Sequence, residues 1–292
     1  MALFTGSGVA IVTPFKNRAV DFEKLGNLID WQIEEGTDAI IICGTTGEAS
    51  TLSDEEQIET VAFTVKKVAK RVPVIAGGGS NDTHHAIHLN IGLEKAGADG
   101  LLHVTPYYNK CTQRGLIQHY TAIADQVHIP MIIYSVVSRT GVNIVPETVA
   151  ELARHPNIVG IKEASGNISQ VAEIARLVPE NFSIYSGNDD MIVPLLSLGG
   201  RGVISTVANI APKDTHKMVM RFLEGDTRGA CNLQLSMKPL IDALFVEVNP
   251  IPVKAALYLM GKIDLEYRLP LCPPEKSTLE LIRKKLIAYG LI

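Results

Sequence analysis

The first two-thirds of the chain alternate short apolar runs, rich in β-branched residues, with longer amphipathic stretches. This alternation is typical of repeated β-α units around a parallel sheet. Successive runs start roughly 20 to 35 residues apart, which leaves room for one crossover helix each time. The pattern predicts eight strands, near residues 9–12, 39–43, 74–76, 100–104, 131–134, 158–162, 183–186 and 202–205.

The clearest helix signal follows the second apolar run. Ser53 and Glu56 have the spacing of a capping box, in which each side chain satisfies a backbone donor of the first turn. Pro146 and Pro212 suit first helical positions. Apolar residues recur at helical spacing after Ser53 and predict one stripe that packs on the sheet, at positions 58, 61, 62, 65, 68 and 69.

Eight strands and eight helices favour a TIM (β/α)8 barrel, typically about 250 residues, over an open doubly wound sheet with the same periodicity. The GxGxxG segment of dinucleotide-binding open sheets does not follow the first strand. Beyond residue 225 the strand signals stop, and helical patterns continue at 227–245, 252–260 and 275–288. We therefore predict a catalytic barrel over residues 1–225 and a three-helix C-terminal region over 226–292.

Composition and charge exclude several classes of protein. Hydrophobic residues make up 46% and charged residues 20% of the chain, which is typical of a globular protein. A net charge of −4 is too weak and of the wrong sign to hold nucleic acid. The longest apolar run, 131–137, is too short to cross a membrane, and the first basic residue, Lys16, comes too late for a signal peptide. We expect a cytoplasmic protein with four reduced cysteines, because CxxC spacing is lacking.

Reactive side chains of a barrel lie at the carboxyl ends of its strands. Lys162 closes the sixth apolar run, where burial would lower its pKa and supply the neutral amine that forms an imine with a carbonyl compound. A lysine extending from the strand end to solvent is the alternative. Tyr134 closes the neighbouring strand, where its phenol can exchange protons with the same substrate or simply pack at the rim.

Other strand ends carry groups that bind carboxylates. Thr45 and Thr46 follow a glycine, where hydroxyl and backbone N–H groups converge on a small carboxylate or only hydrogen-bond within the turn. Arg139 presents a bidentate fork for an acidic substrate, or forms a surface salt bridge. Tyr107 and Tyr108 are typical of an interface between chains.

Two clusters of titratable residues have simpler interpretations. His84, His85 and His88 lack a nearby acidic ligand and an HExxH pattern, which favours a helix surface over a metal site. Asp189 and Asp190 are interpreted as helix-cap and first-turn acids rather than catalytic carboxylates.

Six segments together carry a resemblance to a known family: GTTGE at 44–48, TPYYN at 105–109, the tyrosine and RTG of 134–141, GIKEASGN at 160–167, SGND at 186–189 and NPIPVK at 249–254. The chain resembles the dihydrodipicolinate synthase (4-hydroxy-tetrahydrodipicolinate synthase) family of the pyruvate-dependent class I aldolase and lyase superfamily. RTG and the tyrosine pair indicate this family rather than sialic acid lyases or keto-deoxy sugar acid aldolases. The resemblance covers the whole chain.

The resemblance implies a carbon–oxygen lyase that condenses pyruvate with L-aspartate-4-semialdehyde to 4-hydroxy-tetrahydrodipicolinate, the committed step of diaminopimelate and lysine biosynthesis. It also implies a (β/α)8 barrel with a C-terminal three-helix region, assembled as a homotetramer of two tight dimers. No metal or organic cofactor is implied, because the protonated imine is itself the electron sink.

The resemblance also assigns residue roles. Lys162 would form the pyruvate imine, and Arg139 would bind the carboxylate of the semialdehyde. Tyr134, Thr45 and Tyr108 would form a proton relay, with Tyr108 arriving from a neighbouring subunit. The remaining pocket residues implied are Thr46, which would hold the pyruvate carboxylate with help from Thr45, and Gly187 and Ile204, which would line the pocket.

One departure from the family concerns the second substrate. Ser135 and Val137 replace the usual asparagine and proline in the loop that presents Arg139, and losing the proline frees a backbone angle there. Two alternatives therefore stay open. One is a related pyruvate-dependent aldolase or lyase using another aldehyde, of the sialic acid or keto-deoxy sugar acid type, and the other is a non-catalytic binding barrel.

A second departure concerns regulation. Lysine-inhibited relatives use a histidine and a glutamate in a pocket at the tight-dimer interface, where this chain has Asp54 and His85. A histidine does not supply the fixed negative charge that an ammonium ligand favours, so weak or absent lysine feedback is expected. The other residues of this possible regulatory pocket are Ser50, Asn81 and Tyr107.

Overall fold

The protein folds around a closed barrel of parallel strands. The structure is a computed structural model that describes residues 2–292. Within them, eight strands pair in chain order, and the last pairs with the first. The TIM-barrel prediction is confirmed. The strands are β1 (Gly6–Ala10), β2 (Ala39–Ile42), β3 (Val74–Gly77), β4 (Gly100–Val104), β5 (Met131–Ser135), β6 (Ile158–Glu163), β7 (Ser183–Ser186) and β8 (Gly202–Ser205).

β1 begins earlier than the apolar run predicted at 9–12, because its first residues are small rather than apolar. Gly6 pairs with Gly202 where β1 meets β8. A Cβ atom on Gly202, whose φ is +156°, would lie 1.9 Å from the carbonyl oxygen of Gly6. Closure of the barrel therefore requires glycine at this point, and glycine carries no hydrophobic signal.

Helices cover the outside of the barrel and continue past its last strand. Ser53 caps its helix in the predicted capping box with Glu56, and Pro146 and Pro212 begin helices as predicted. The helices are α1 (Phe22–Glu34), α2 (Asp54–Val68), α3 (Thr83–Lys95), α4 (Gln113–Ala124), α5 (Val137–Thr140), α6 (Pro146–Leu152), α7 (Ile168–Leu177), α8 (Ile192–Leu196), α9 (Pro212–Leu223), α10 (Thr227–Ala243), α11 (Ile251–Leu259) and α12 (Lys276–Tyr289).

The strands are buried on both faces, which explains their continuous apolar runs. Ile40 and Ile42 pack outward under the helices, whereas Ile41 belongs to a second cluster inside the barrel. Phe4 and Tyr185 stack in this inner cluster, with ring centroids 4.4 Å apart. This packed interior leaves the carboxyl rim of the strands as the place for a site. In the described part of the chain no helix is long and apolar enough to cross a membrane.

Candidate active site

Lys162 lies at the carboxyl end of β6 and points into the mouth of the barrel. Its side chain is buried, with 6% of the residue exposed. Tyr134 is its direct partner in the register of β5 and β6, and the Lys162 Nζ lies 4.3 Å from the centroid of the Tyr134 ring. The structure therefore brings these two predicted residues together, as neighbouring parallel strand ends require.

Burial sets the protonation of both groups. It lowers the pKa of the Lys162 ammonium from 10.5 to about 8, while the charge of Asp189 acts to raise this pKa and that of Arg139 to lower it. Burial raises the pKa of the Tyr134 phenol to about 12. Near neutral pH the site thus holds an amine with an appreciable neutral fraction beside a phenol that keeps its proton.

A cavity of about 780 Å³ opens over Lys162; we call it the lysine cavity. Gly187 forms part of its wall, and a Cβ atom there would lie 3.1 Å from the Lys162 Cε, so glycine leaves room for the lysine stem. Ile204 is buried in the inner apolar cluster of the barrel. Other predicted site residues that line the lysine cavity are Thr45, Thr46, Tyr134 and Arg139.

The Arg139 loop is held by hydrogen bonds despite the absent proline. Arg139 lies in the short helix α5, which ends at Gly141 in a left-handed conformation. The Ser135 hydroxyl accepts a hydrogen bond from the Ile144 N–H (3.3 Å) and pairs with the Asn143 Oδ1 (3.2 Å). Ser135, one of the two departures from the family pattern, therefore ties both ends of the loop together.

Asn249, which the sequence analysis did not single out, links two predicted site residues. Its Nδ2 donates to the Thr46 Oγ1 (2.9 Å), and its main-chain oxygen accepts from the Arg139 Nη2 (2.9 Å). Asn249 precedes α11 and also lines the lysine cavity. The motif NPIPVK was the available signal, but nothing local in the sequence connects it to the barrel rim.

Asp189 is more deeply buried and more firmly held than its interpretation as a helix-cap or first-turn acid indicates. It does begin a short 3₁₀ turn, Asp189–Met191, as a first-turn acid. Its carboxylate, however, is buried and accepts hydrogen bonds from the Ser205 hydroxyl (2.6 Å) and the Val207 N–H (2.8 Å) at the end of β8. Asp189 is therefore a buried carboxyl held in place near Lys162 rather than a solvated acid; burial raises its pKa, and the hydrogen bonds from Ser205 and Val207 act to lower it.

A second cavity of about 530 Å³ adjoins the lysine cavity and shares Thr45, Tyr134 and Arg139 as lining residues; we call it the outer cavity. The His85 Nε2 lies 2.9 Å from both carboxylate oxygens of Asp54. The predicted regulatory residues all line this cavity: Ser50, Asp54, Asn81, His85 and Tyr107.

The remaining predicted residues lie on the surface. Tyr108 follows β4 with a φ of +70° and is 93% exposed, so its ring projects from the chain. His84, His85 and His88 are exposed on α3, as the sequence indicates, but the expectation that they lack an acidic neighbour is wrong for His85, which lies beside Asp54. Among the described residues, no group of three or more His, Cys, Asp or Glu side chains has the arrangement of a metal site.

A buried amine at a barrel rim, beside a phenol and in a cavity that two threonines line, defines an imine-forming lyase of the class I aldolase type. Comparison with known proteins narrows this class. The chain belongs to the dihydrodipicolinate synthetase family, whose model matches residues 3–288.

Individual relatives agree along their whole length. The 4-hydroxy-tetrahydrodipicolinate synthase of Thermoanaerobacter sp. (strain X514) is 57% identical over 293 residues, covering 100% of this chain and 99% of the relative. The crystal structure of dihydrodipicolinate synthase from Thermotoga maritima has a TM-score of 0.98 at 45% identity and 100% coverage of both chains. A monomeric dihydrodipicolinate synthase variant also has a TM-score of 0.98 at 45% identity, covering 99% of this chain and 98% of that one.

Proposed function

We propose that the chain condenses pyruvate with L-aspartate-4-semialdehyde to 4-hydroxy-tetrahydrodipicolinate, the committed step of diaminopimelate and lysine biosynthesis. The observation that carries the mechanism is Lys162, a buried amine of lowered pKa whose register partner is Tyr134. Full-length identity to 4-hydroxy-tetrahydrodipicolinate synthases supports the choice of reaction.

The chemistry follows from the amine. Neutral Lys162 attacks the keto carbon of pyruvate, and loss of water together with uptake of one proton leaves a protonated imine. Loss of a proton from the methyl carbon gives an enamine, which forms the new carbon–carbon bond by attacking the aldehyde carbon. The amino group of the second substrate then displaces Lys162 from the imine carbon and closes the ring, which regenerates the free amine. The imine nitrogen accepts the electron pair when the methyl proton leaves and returns it when the new carbon–carbon bond forms, so the proposed reaction needs no cofactor.

Proton transfers in this sequence need a group that both donates and accepts. Tyr134 keeps its proton at neutral pH and lies next to the lysine, and Thr45 lines the same cavity. Tyr108 completes the proposed relay from a neighbouring subunit, which its exposed position after β4 supports. Thr46 with Thr45 holds the pyruvate carboxylate, and Arg139 binds the carboxylate of the semialdehyde. Gly187 and Ile204 complete the proposed pocket.

Assembly and chain division are also proposals. An exposed relay residue favours a homo-oligomer, proposed as a tetramer of two tight dimers in the cytoplasm. The barrel is assigned to residues 1–225 and the helical region to 226–292, because α9 ends at Leu223 and α10 begins at Thr227.

Reductive trapping tests the proposed function. Borohydride added with pyruvate should leave a stable adduct on Lys162, found by peptide mass mapping, and Lys162→Ala should lose it. Lys262→Arg tests the assignment, because it alters another lysine whose pKa burial lowers, outside the lysine cavity, and the adduct should remain. A wild-type protein without adduct would be a binding barrel. Turnover of a sugar-derived aldehyde in preference to the semialdehyde would instead indicate a related lyase.

A further inference from the structure

The segment between α10 and α11 brings two polar residues, Glu247 and Asn249, to the lysine cavity, and of these two only Asn249 is buried. Asn249 is 7% exposed, although it lies outside any helix and lines the lysine cavity. Its Oδ1 is buried without a hydrogen-bond partner among residues 2–292. Burying an amide oxygen in this way costs free energy, so a residue without a polar task here would be better replaced by an apolar one.

The hydrogen bond from Asn249 to Thr46 has a defined direction. The Asn249 Nδ2 donates and the Thr46 Oγ1 accepts, at 2.9 Å. A hydroxyl has a single proton to donate. Because the Thr46 oxygen already accepts from the amide, its proton remains available for another acceptor, and a carboxylate in the lysine cavity is the acceptor that the proposed function supplies.

The same residue also contacts the other carboxylate-binding group. The Arg139 Nη2 donates to the main-chain oxygen of Asn249 at 2.9 Å. The side chain of Asn249 therefore hydrogen-bonds to Thr46, and its main-chain oxygen hydrogen-bonds to Arg139. A side-chain substitution should disturb the first contact and leave the second in place.

A buried ion pair links the two segments that carry Thr46 and Asn249. Glu48 lies two residues after Thr46, and Lys254 lies in the first turns of α11. Their charged atoms are 2.5 Å apart, and both side chains are 0% exposed. The pair thus joins the turn that follows Thr46 to the helix that follows Asn249.

We infer that Asn249 is a positioning residue for the keto acid: its amide orients the Thr46 hydroxyl so that the hydroxyl donates to the pyruvate carboxylate. This inference rests on the proposed function and extends it. The C-terminal region then supplies a group that acts on the substrate through Thr46 of the barrel and does not itself touch the reacting atoms.

Two substitutions separate orientation from simple structural support. Asn249→Asp keeps the shape of the side chain but replaces the hydrogen-bond donor with an acceptor. The Thr46 hydroxyl would then donate to this carboxylate instead of to the substrate, and the new negative charge would lie near the substrate carboxylate. Asn249→Ala only removes the donor. Tyr258→Ala, at an exposed residue of α11 that does not line the lysine cavity, controls for a disturbed segment.

The readout is the pyruvate concentration that gives half-maximal reductive trapping on Lys162, which needs no second substrate. We expect Asn249→Ala to raise it about three- to tenfold, the size of one lost hydrogen bond, and Asn249→Asp to raise it by more than about tenfold. The KM for the semialdehyde should change less than about twofold, because the carbonyl contact with Arg139 remains. In a Thr46→Val background, Asn249→Ala should add nothing further.

Three results would overturn the inference. The first is a pyruvate concentration for half-maximal trapping that stays within twofold of wild type in both Asn249 variants. The second is an equal rise of this concentration in both variants, accompanied by an equal rise in the KM for the semialdehyde. If Asn249→Asp does not fold, Asn249→Ala and Thr46→Val decide, since additive effects on half-saturation would contradict a shared role. Absence of any adduct in wild type removes the proposed function and this inference together, whereas an adduct insensitive to Asn249 removes this inference alone.

Discussion

The rate of imine formation should depend on pH through Lys162 itself. Only the neutral amine attacks pyruvate, so the rate should rise with pH and level off above the pKa of Lys162, which burial lowers to about 8. Two substitutions move this midpoint in opposite directions. Asp189→Asn removes a charge that raises the pKa, so its profile shifts to lower pH. Arg139→Gln removes a charge that lowers the pKa, so its profile shifts to higher pH.

The magnitude follows from the two pKa values. With a pKa of about 8, roughly 9% of the Lys162 side chains are neutral at pH 7, against about 0.03% for a lysine at 10.5. The buried position therefore increases the reactive fraction by about 300-fold. This gain comes mainly from the loss of hydration, with the charges of Asp189 and Arg139 acting in opposite directions, and it precedes any contribution from Tyr134 as a proton donor.

Rapid-quench trapping measures the prediction directly. Wild type, Asp189→Asn and Arg139→Gln are mixed with saturating pyruvate between pH 6 and 10.5, and the adduct formed is counted against time. Thermal unfolding of each variant at each pH checks that the fold persists. A wild-type rate that keeps rising tenfold per pH unit beyond pH 9.5, or two variants that shift the midpoint in the same direction, would refute the reasoning.

Three further outcomes are expected. Tyr134→Phe should lower turnover by roughly 10² to 10⁴ with the fold retained, and an unchanged steady-state rate would remove the phenol from the relay. Lys254→Met should lower the free energy of unfolding by about 3–5 kcal/mol, because it leaves Glu48 buried and unpaired, and Glu48→Gln in the same chain should restore most of it. Urea titrations measure this, with the exposed Lys238→Met as control, and an equal loss in single and double variants would contradict it. Lysine should inhibit weakly or not at all, because His85 offers no fixed negative charge and the Asp54 carboxylate of the outer cavity is already hydrogen-bonded to His85. Half-inhibition at micromolar lysine in a turnover assay would refute this.

The fold was readable from the sequence because its strands are buried on both faces. Runs such as Met131–Ser135 are continuous and apolar, and they stand out between amphipathic helices. The pairing of Tyr134 with Lys162 was predictable for a related reason, since neighbouring parallel strands end at one rim. The two-residue strands Phe15–Lys16 and Ala19–Val20 are too short to give a period, and they were not predicted.

The rest of the site depends on contacts that no local pattern encodes. Asn249 and Thr46 are 203 residues apart, and only the closed fold brings them together. Asp189 looked like an ordinary first-turn acid, because its partners lie on the next strand. Residue type and spacing were enough to predict the reactive groups. The groups that support them, Asn249 and Asp189, could be recognised only from the three-dimensional structure.

The Glu48–Lys254 pair also bears on how the enzyme is made. Glu48 leaves the ribosome 206 residues before its partner, so the nascent barrel carries a carboxylate that must stay hydrated until synthesis is nearly finished. The turn holding Thr45 and Thr46 is therefore completed only when α11 docks. A chain that terminates before α11 lacks the partner of Glu48 and cannot form the complete pocket. We therefore expect only chains that include α11 to react with pyruvate.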